Sequence, residues 1–417
     1  MIRVVIADDS SFMRKVLSDL FTEAPDFEVV GTAANGKEAV GLVLKLKPDL
    51  VTMDVNMPVL DGLKALETIM ADCPTPVMMF SSLTKKDADE TIKALSLGAV
   101  DFMCKAGGSI SRIDTISDEI LEKCRNVAKA NVKKFSINNN ILEKKQEAGN
   151  LKRINILERK GYNLPDSNSG ASKTVSNRLK AAKPVVESVP PVSAKFQNRS
   201  SAADRIAKRE NPYLKMRENQ AGSSFGRGAA KLVALGTSTG GPKALQAVVP
   251  KLPADMPCGM VIVQHMPAGF TKSLAERLDY MSQVAVKEAE DNEPILPGYV
   301  YIAPGDYHLE IKGSGVQRTI SLNQSPPVGA HRPAVDVMFD SVVKYGSDVV
   351  SVILTGMGCD GTAGMKKIKQ AGGYIIAESK ETCVVYGMPK AVVDAGIADE
   401  ILPVHQVADA IVNAVRK

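Results

Sequence analysis

Twice along the chain, short apolar runs alternate with amphipathic segments, and that rhythm leaves room for little but a parallel α/β sheet in each stretch. Residues 1 to about 127 hold the strand candidates RVVIA, FEVVGTA, LVTMDV, PVMMFSS and AVDFMCK. Between and after them lie SFMRKVLSDLF, GKEAVGLVLKL, GLKALETIM, DADETIKALSLG and IDTISDEILEKCRNVAK. In the first of these, Phe12, Val16, Leu17, Leu20 and Phe21 fall on one helical face, with Ser10 or Ser11 as N-cap. Five strands alternating with five helices predict a doubly wound domain over 1–127.

From 128 to 229 the pattern dissolves. NNN, GYNLPDSNSGASKTVSN and KPVVESVPPVSAK are polar, Ser/Asn/Pro-rich and basic, although ILEKKQ and AADRIAKRE could form transient helix. Between Ala130 and Ala230 there are 20 Lys and Arg against 8 Asp and Glu, a surplus of +12 in a chain of net +5, so the remainder carries −7. The basic character therefore belongs to a tether. No aromatic interleaving and no nucleic-acid motif accompanies it, which argues against a DNA or RNA partner.

Residues 230–417 resume the rhythm as a second α/β domain of Rossmann-like type. KLVALG, MVIVQH, SDVVSVILTG, GYIIAE and AVVDAGIADEILPV are its strand candidates, while YVYIAPGDYHLEI and QRTISLNQSP read as an antiparallel hairpin. A chain of 417 residues is long enough for two such cores. The six cysteines, at 73, 104, 124, 258, 359 and 383, show no CxxC pair and read as reduced thiols. No apolar run reaches bilayer length and the N-terminus lacks a signal-peptide pattern, so a cytoplasmic protein without membrane insertion is expected.

In an open parallel sheet the carboxyl ends of the strands share one crevice. Asp8 and Asp9 follow the first strand, Asp54 closes the third, Ser81 and Ser82 the fourth and Lys105 the fifth. Three converging carboxylates repel one another unless a hard cation lies between them, and oxygen-ligated Mg²⁺ suits the set. MDVNMPVLDG, the DD pair, the strand-four serine and the strand-five lysine resemble a response-regulator receiver domain, flavodoxin-like in fold, across essentially all of residues 1 to 125. The resemblance implies Asp54 as phosphoacceptor, with Asp8, Asp9, Asp54 and the Asn56 carbonyl as Mg²⁺ ligands. It implies Ser81 and Lys105 as phosphate-sensing residues and Phe102 as a switch aromatic. Lys105 is followed by Ala106 where that family often has proline.

In the second half, GTSTG satisfies G-x-S-x-G, a strand-to-helix turn that can expose a serine nucleophile. Alone the pattern fits a dinucleotide or phosphate loop equally well. A base oriented by an acid is what activates a hydroxyl. Among four histidines, at 265, 308, 331 and 405, His265 ends the strand MVIVQH on the same rim as Ser238, and Asp360 follows SDVVSVIL in a glycine-rich loop. Ser238 would attack a carbonyl, His265 would take its proton and Asp360 would fix the imidazole. The amides of Thr239 and Met357 are candidate oxyanion donors. His308 and His331 read as rim residues, either touching substrate or structural, and His405 as a surface residue.

ALGTSTGGPKAL, VQHMPAGFTKSLAERL, YIAPGDYHLEI, HRPAVDVMFDSV, ILTGMGCDGTAGM and VVYGMPKAV resemble, in order, the blocks of the protein-glutamate methylesterase catalytic domain, from about 231 to 415. Joined to a receiver they resemble the chemotaxis response-regulator methylesterase family. That implies Ser238, His265 and Asp360 as the triad, with Thr239 and Met357 around the oxyanion, and Cys359 standing where the family usually has Asn. It further implies hydrolysis of glutamate methyl esters, and deamidation of specific glutamines, on the cytoplasmic helices of chemoreceptors. The partners implied are a histidine kinase as phosphodonor and the receptors as substrate, with Mg²⁺ for phosphorylation and no cofactor for the ester reaction. The unphosphorylated receiver is expected to cover the Ser238 crevice. Other readings of the second domain are a module that binds without cleaving and a nucleotide-binding domain; a DNA-binding regulator lacks its helix-turn-helix.

Overall fold

The run IRVVIA buries four consecutive residues, Val4 to Ala7, without alternation, as a strand covered on both faces of a parallel sheet must. It is β1 (Ile2–Ala7) of a computed structural model that describes residues 1–82, 84–105, 113–130, 132 and 231–417. The tether expected over 128–229 and residue Ala106 lie outside the described residues, apart from 128–130 and 132. β2 (Phe27–Ala33), β3 (Leu50–Asp54), β4 (Val77–Ser81) and β5 (Asp101–Cys104) complete a five-stranded parallel sheet of order β2-β1-β3-β4-β5. Around it lie α1 (Ser11–Glu23), α2 (Gly36–Leu46), α3 (Gly62–Asp72), α4 (Lys85–Leu97) and α5 (Ile113–Ala128).

Side-chain caps start four of these helices: Ser10 accepts from Met13 N, Asn35 from Glu38 N, Asp61 from Lys64 N and Thr84 from Asp87 N. Ser10, not Ser11, is thus the cap of α1. Leu17 and Phe21 bury as the periodicity predicts, but Phe12, in the first turn, is 63% exposed.

The second half is built on seven parallel strands in the order β14-β13-β12-β6-β7-β9-β8. They are β6 (Leu232–Thr237), β7 (Met260–Gln264), β8 (Ala285–Glu288), β9 (Tyr299–Ile302), β12 (Val349–Ile353), β13 (Tyr374–Glu378) and β14 (Glu400–Leu402). Its helices are α6 (Gly241–Val248), α7 (Phe270–Met281), α8 (Val335–Val342), α9 (Thr362–Gln370), α10 (Met388–Asp394) and α11 (Val404–Arg416).

Two sequence expectations need correction. YVYI is not part of the hairpin but a buried strand of the main sheet, paired in parallel with β7 and β8; the hairpin is β10 (His308–Ser314) with β11 (Gln317–Asn323). A buried apolar tetrapeptide reads the same in either setting, and only the turn at Pro304–Tyr307 separates the two uses. AVVDAGIADEILPV supplies α10 and then only the three-residue β14.

The two halves pack together. α4 lies against α6 and α7, and one apolar cluster includes Ala88, Ile92, Leu95 and Phe102 from the first half and Ala244, Phe270 and Leu274 from the second. No described helix is long and apolar enough to cross a membrane.

Candidate active site

The second sheet reverses its winding between β6 and β12, and crevices open at such switch points. Ser238 follows β6, His265 follows β7 and Asp360 lies in the loop after β12. β6 and β7 pair with Thr237 opposite Gln264, so Ser238 and His265 are the next residues on two neighbouring parallel strands, roughly 5 Å apart by the spacing of a sheet.

His265 Nε2 lies 2.7 Å from Asp360 Oδ2. The same oxygen accepts from the Val335 amide at 2.7 Å, and Oδ1 accepts from the Asp336 amide at 2.9 Å, so the carboxylate is pinned at the N-terminus of α8. Burial alone would raise its pKa; the His265 hydrogen bond and charge and the two amides outweigh that and hold it below the usual carboxylate value. His265 Nδ1 is buried and has no partner, and Ser238 Oγ makes no hydrogen bond to it. With Nε2 turned to the acid, Nδ1 is the nitrogen left to take a proton. The His331 ring stacks on His265, centroids 3.8 Å apart and planes 13° apart. Burial, and then the neighbouring His265, lower the His331 pKa to about 4, so it is neutral at ordinary pH. His308 is not a rim residue: it is buried, with Nδ1 accepting from the Ala334 amide and Nε2 facing the Pro326 carbonyl, both at 3.2 Å. His405 is exposed.

Ser238 is held by its backbone. Its amide donates to Thr355 O at 3.0 Å, and its carbonyl accepts from Gly241 N at 2.7 Å and Gln264 Nε2 at 2.9 Å. The GMG loop presses against it: a Cβ on Gly356 would stand 2.9 Å from Ser238 Cβ and 2.2 Å from Met388 Sδ, an approach only glycine permits. The amides of Thr239 and Met357 make no hydrogen bond among the described residues, which leaves both able to donate to a substrate oxygen. Cys359 is exposed beside the acid.

In the first sheet the winding reverses between β1 and β3, and the acidic residues sit there. Carboxylate oxygens of Asp8, Asp9 and Asp54 all lie within 4.8 Å of one another, a set of hard donors that fits Mg²⁺. Lys105 Nζ is 2.8 Å from both Asp8 Oδ2 and Asp54 Oδ2. Burial nevertheless keeps the Asp54 carboxyl above its ordinary value. Asn56 turns its side-chain amide to Asp87 Oδ1 at 2.8 Å. Ser81 is fully buried and accepts from Thr91 Oγ1 at 2.8 Å, so its hydroxyl faces α4 rather than Asp54; Ser82 bonds Asp87.

A family model described as CheB methylesterase matches residues 233–411, and one described as response regulator receiver domain matches residues 4–114. The chain belongs to the CheB methylesterase family. It is 42% identical to a protein-glutamate methylesterase/protein-glutamine glutaminase of Symbiobacterium thermophilum, covering 99% of this chain and 97% of that one. It is 40% identical to the like-named protein of Thermotoga maritima, over 99% and 98% of the two chains. The crystal structure of the Thermotoga maritima CheB methylesterase catalytic domain is 50% identical, covers 44% of this chain and 98% of that chain, and has a TM-score of 0.43.

In this CheB-family chain the receiver packs against the segments that carry Thr239 and Met357. Thr239 Oγ1 donates to Asp101 Oδ2 at 2.7 Å, Gln246 Nε2 donates to Ser96 Oγ at 3.0 Å, and Asn126 Nδ2 contacts Met357 Sδ. Phe102 stacks on Phe270 with centroids 4.7 Å apart. Asp101 and Asn126 thus hold the side chains of the two residues with free amides. Sequence reasoning missed Asp101, Thr355, Glu378 and Gln264. Thr355 is a hub: its amide donates to buried Glu378 Oε2 at 2.8 Å, its carbonyl accepts from Ser238 N, and its hydroxyl donates to Thr239 O at 3.0 Å. The only signal for these residues was polarity within otherwise apolar strand ends.

Proposed function

We propose that the chain hydrolyses glutamate methyl esters, and side-chain amides of glutamine, on chemoreceptors through Ser238, His265 and Asp360, under control of phosphorylation at Asp54. The observation that carries the chemistry is the 2.7 Å His265–Asp360 contact, with its carboxylate pinned by α8, at the strand end beside Ser238. Ser238 Oγ attacks the ester carbonyl as its proton passes to His265 Nδ1; Asp360 keeps Nε2 protonated and stabilises the imidazolium. The amides of Thr239 and Met357 receive the negative oxygen, each such donor being worth about 3 kcal/mol in the transition state. Collapse returns the proton to the leaving methoxide, giving methanol, or to a leaving amine, giving ammonia. Water then attacks the acyl-serine with the same base, leaving a free carboxylate.

Asp54 is the proposed phosphoacceptor, and Asp8, Asp9 and Asp54 with the Asn56 carbonyl would hold Mg²⁺, which when bound neutralises charge on the incoming phosphoryl group. Phosphorylation adds charge where Lys105 is paired with Asp54 and Asp8, and a receiver is a two-state element whose balance such a change biases. On this reading the docked arrangement is the closed one. Its Asp101, Ser96, Phe102 and Asn126 contacts are those that phosphorylation would weaken, and opening frees the crevice to a receptor helix. Methanol release from methylated receptor membranes tests the reading. Ser238→Ala should abolish it; retained release would refute the assignment of the nucleophile.

A further inference from the structure

Resting on the triad reading above, we propose that Gln264 is a positioning residue that aligns the oxyanion donor of Thr239 and the base His265 together. Gln264 closes β7, is 2% exposed, and sends its Nε2 to two carbonyls, Ser238 O at 2.9 Å and His265 O at 3.1 Å. Two carbonyl acceptors require the two N–H groups of the amide, which fixes which way the side chain faces. Its Oε1 is buried without a partner, so only the donor end anchors the group. The first turn of α6 closes over it: a Cβ on Gly241 would stand 2.0 Å from Oε1 and 2.5 Å from Thr237 Oγ1. A fold that buries an unsatisfied amide oxygen beside a nucleophile keeps the amide for what its other end does.

The Ser238 carbonyl and the Thr239 N–H belong to one planar peptide unit. Where the carbonyl points therefore sets where the N–H points. Hydrogen bonds into the oxygen also polarise the unit and strengthen its N–H as a donor, by something like 10–30% per bond. Gly241 N supplies one such bond at 2.7 Å and Gln264 the other. The second N–H of Gln264 grips the carbonyl of the residue whose ring is the base. One side chain thus sets the register between the two strand ends that must cooperate, although it touches neither substrate nor the reacting atoms.

The test uses the full chain, stimulated with a small-molecule phosphodonor, on methylated receptor membranes. Gln264→Met keeps length and apolar fill but removes both donors; kcat is expected to fall about 10-fold with KM little changed, less than the 10²–10³ lost with a direct oxyanion donor. Gln264→Glu keeps the shape but presents acceptors until protonated. Its rate relative to the parent should be lowest near pH 8 and recover as pH falls, because burial favours the protonated, donating carboxyl. Asp360 and His331 are common to both chains, so the profile of the parent serves as the reference. A packing role alone would lower Tm without the kcat effect or the pH-dependent ratio. Folded Gln264→Met with parental kcat overturns the proposal; if that variant does not fold, a Gln264→Glu profile parallel to the parent overturns it. Ser238→Ala run alongside separates the cases: loss of release with unaffected Gln264 variants sinks only this role, whereas retained release sinks the triad and this role with it.

Discussion

Removing the Asp101 carboxylate should release the catalytic domain from its receiver. Asp101 Oδ2 accepts from Thr239 Oγ1 at 2.7 Å in a buried contact. A hydrogen bond to a charged group contributes about 1.5–3 kcal/mol net, and 1.4 kcal/mol is tenfold in an equilibrium constant. Asp101→Ala should thus raise the open fraction, and with it the unstimulated rate, by about 10- to 100-fold, up to the ceiling at which the closed state no longer dominates. Asp101→Asn keeps an acceptor without the charge and should give a smaller rise. Ser96→Ala removes a neutral bond to Gln246, worth about 1 kcal/mol, and should give roughly fivefold. The assay is methanol release from methylated receptor membranes, with and without a small-molecule phosphodonor. The phosphodonor-stimulated rate should stay near that of the parent, since none of these residues belongs to the proposed chemistry. An unstimulated rate of Asp101→Ala equal to the parent, with stimulation intact, would show that this contact does not hold the cover in place.

Asp54→Asn should leave the unstimulated rate unchanged and abolish the response to phosphodonor; a surviving response would move the phosphoacceptor elsewhere. Asp360→Asn should cut kcat by on the order of 10³–10⁴ with the fold intact, because the amide cannot hold the protonated Nε2; circular dichroism and steady-state rates read both. His331, neutral in the fold down to about pH 4 and titrating near 6.5 when unfolded, disfavours the folded state as it takes up a proton. Its contribution to stability therefore rises with pH between about 4 and 6.5, and His331→Phe, which keeps the stacked ring, should flatten the Tm against pH over that window. An unchanged slope would place the titration elsewhere.

The strand-end logic makes most of the candidate site legible in the sequence. Asp8, Asp54, Ser238, His265 and Asp360 are where the carboxyl ends of parallel strands put them, because a doubly wound sheet turns sequence position into spatial convergence. What stayed hidden is contact chemistry between segments far apart in the chain. That Nε2 rather than Nδ1 of His265 faces Asp360 depends on ring orientation, which no sequence pattern encodes. The two amides of α8 that pin Asp360 are backbone groups, which any residue but proline at positions 335 and 336 could supply. The Asp101–Thr239 contact joins residues 138 apart, and only the docking of two independently patterned sheets brings them together. YVYI was misassigned because burial on both faces erases the alternation that tells a sheet interior from a hairpin arm.

The proposed nucleophile and base ride on adjacent rungs of one continuous ladder, β6 beside β7, while the receiver is held to that domain by a few side chains on α4, β5 and α5. On the proposed reading, reactivity is written on the catalytic side of that contact and threshold on the receiver side. Substitutions on the receiver side would then retune how much signal is needed to switch the enzyme on, in graded steps, while the turnover number of the released enzyme is inherited intact.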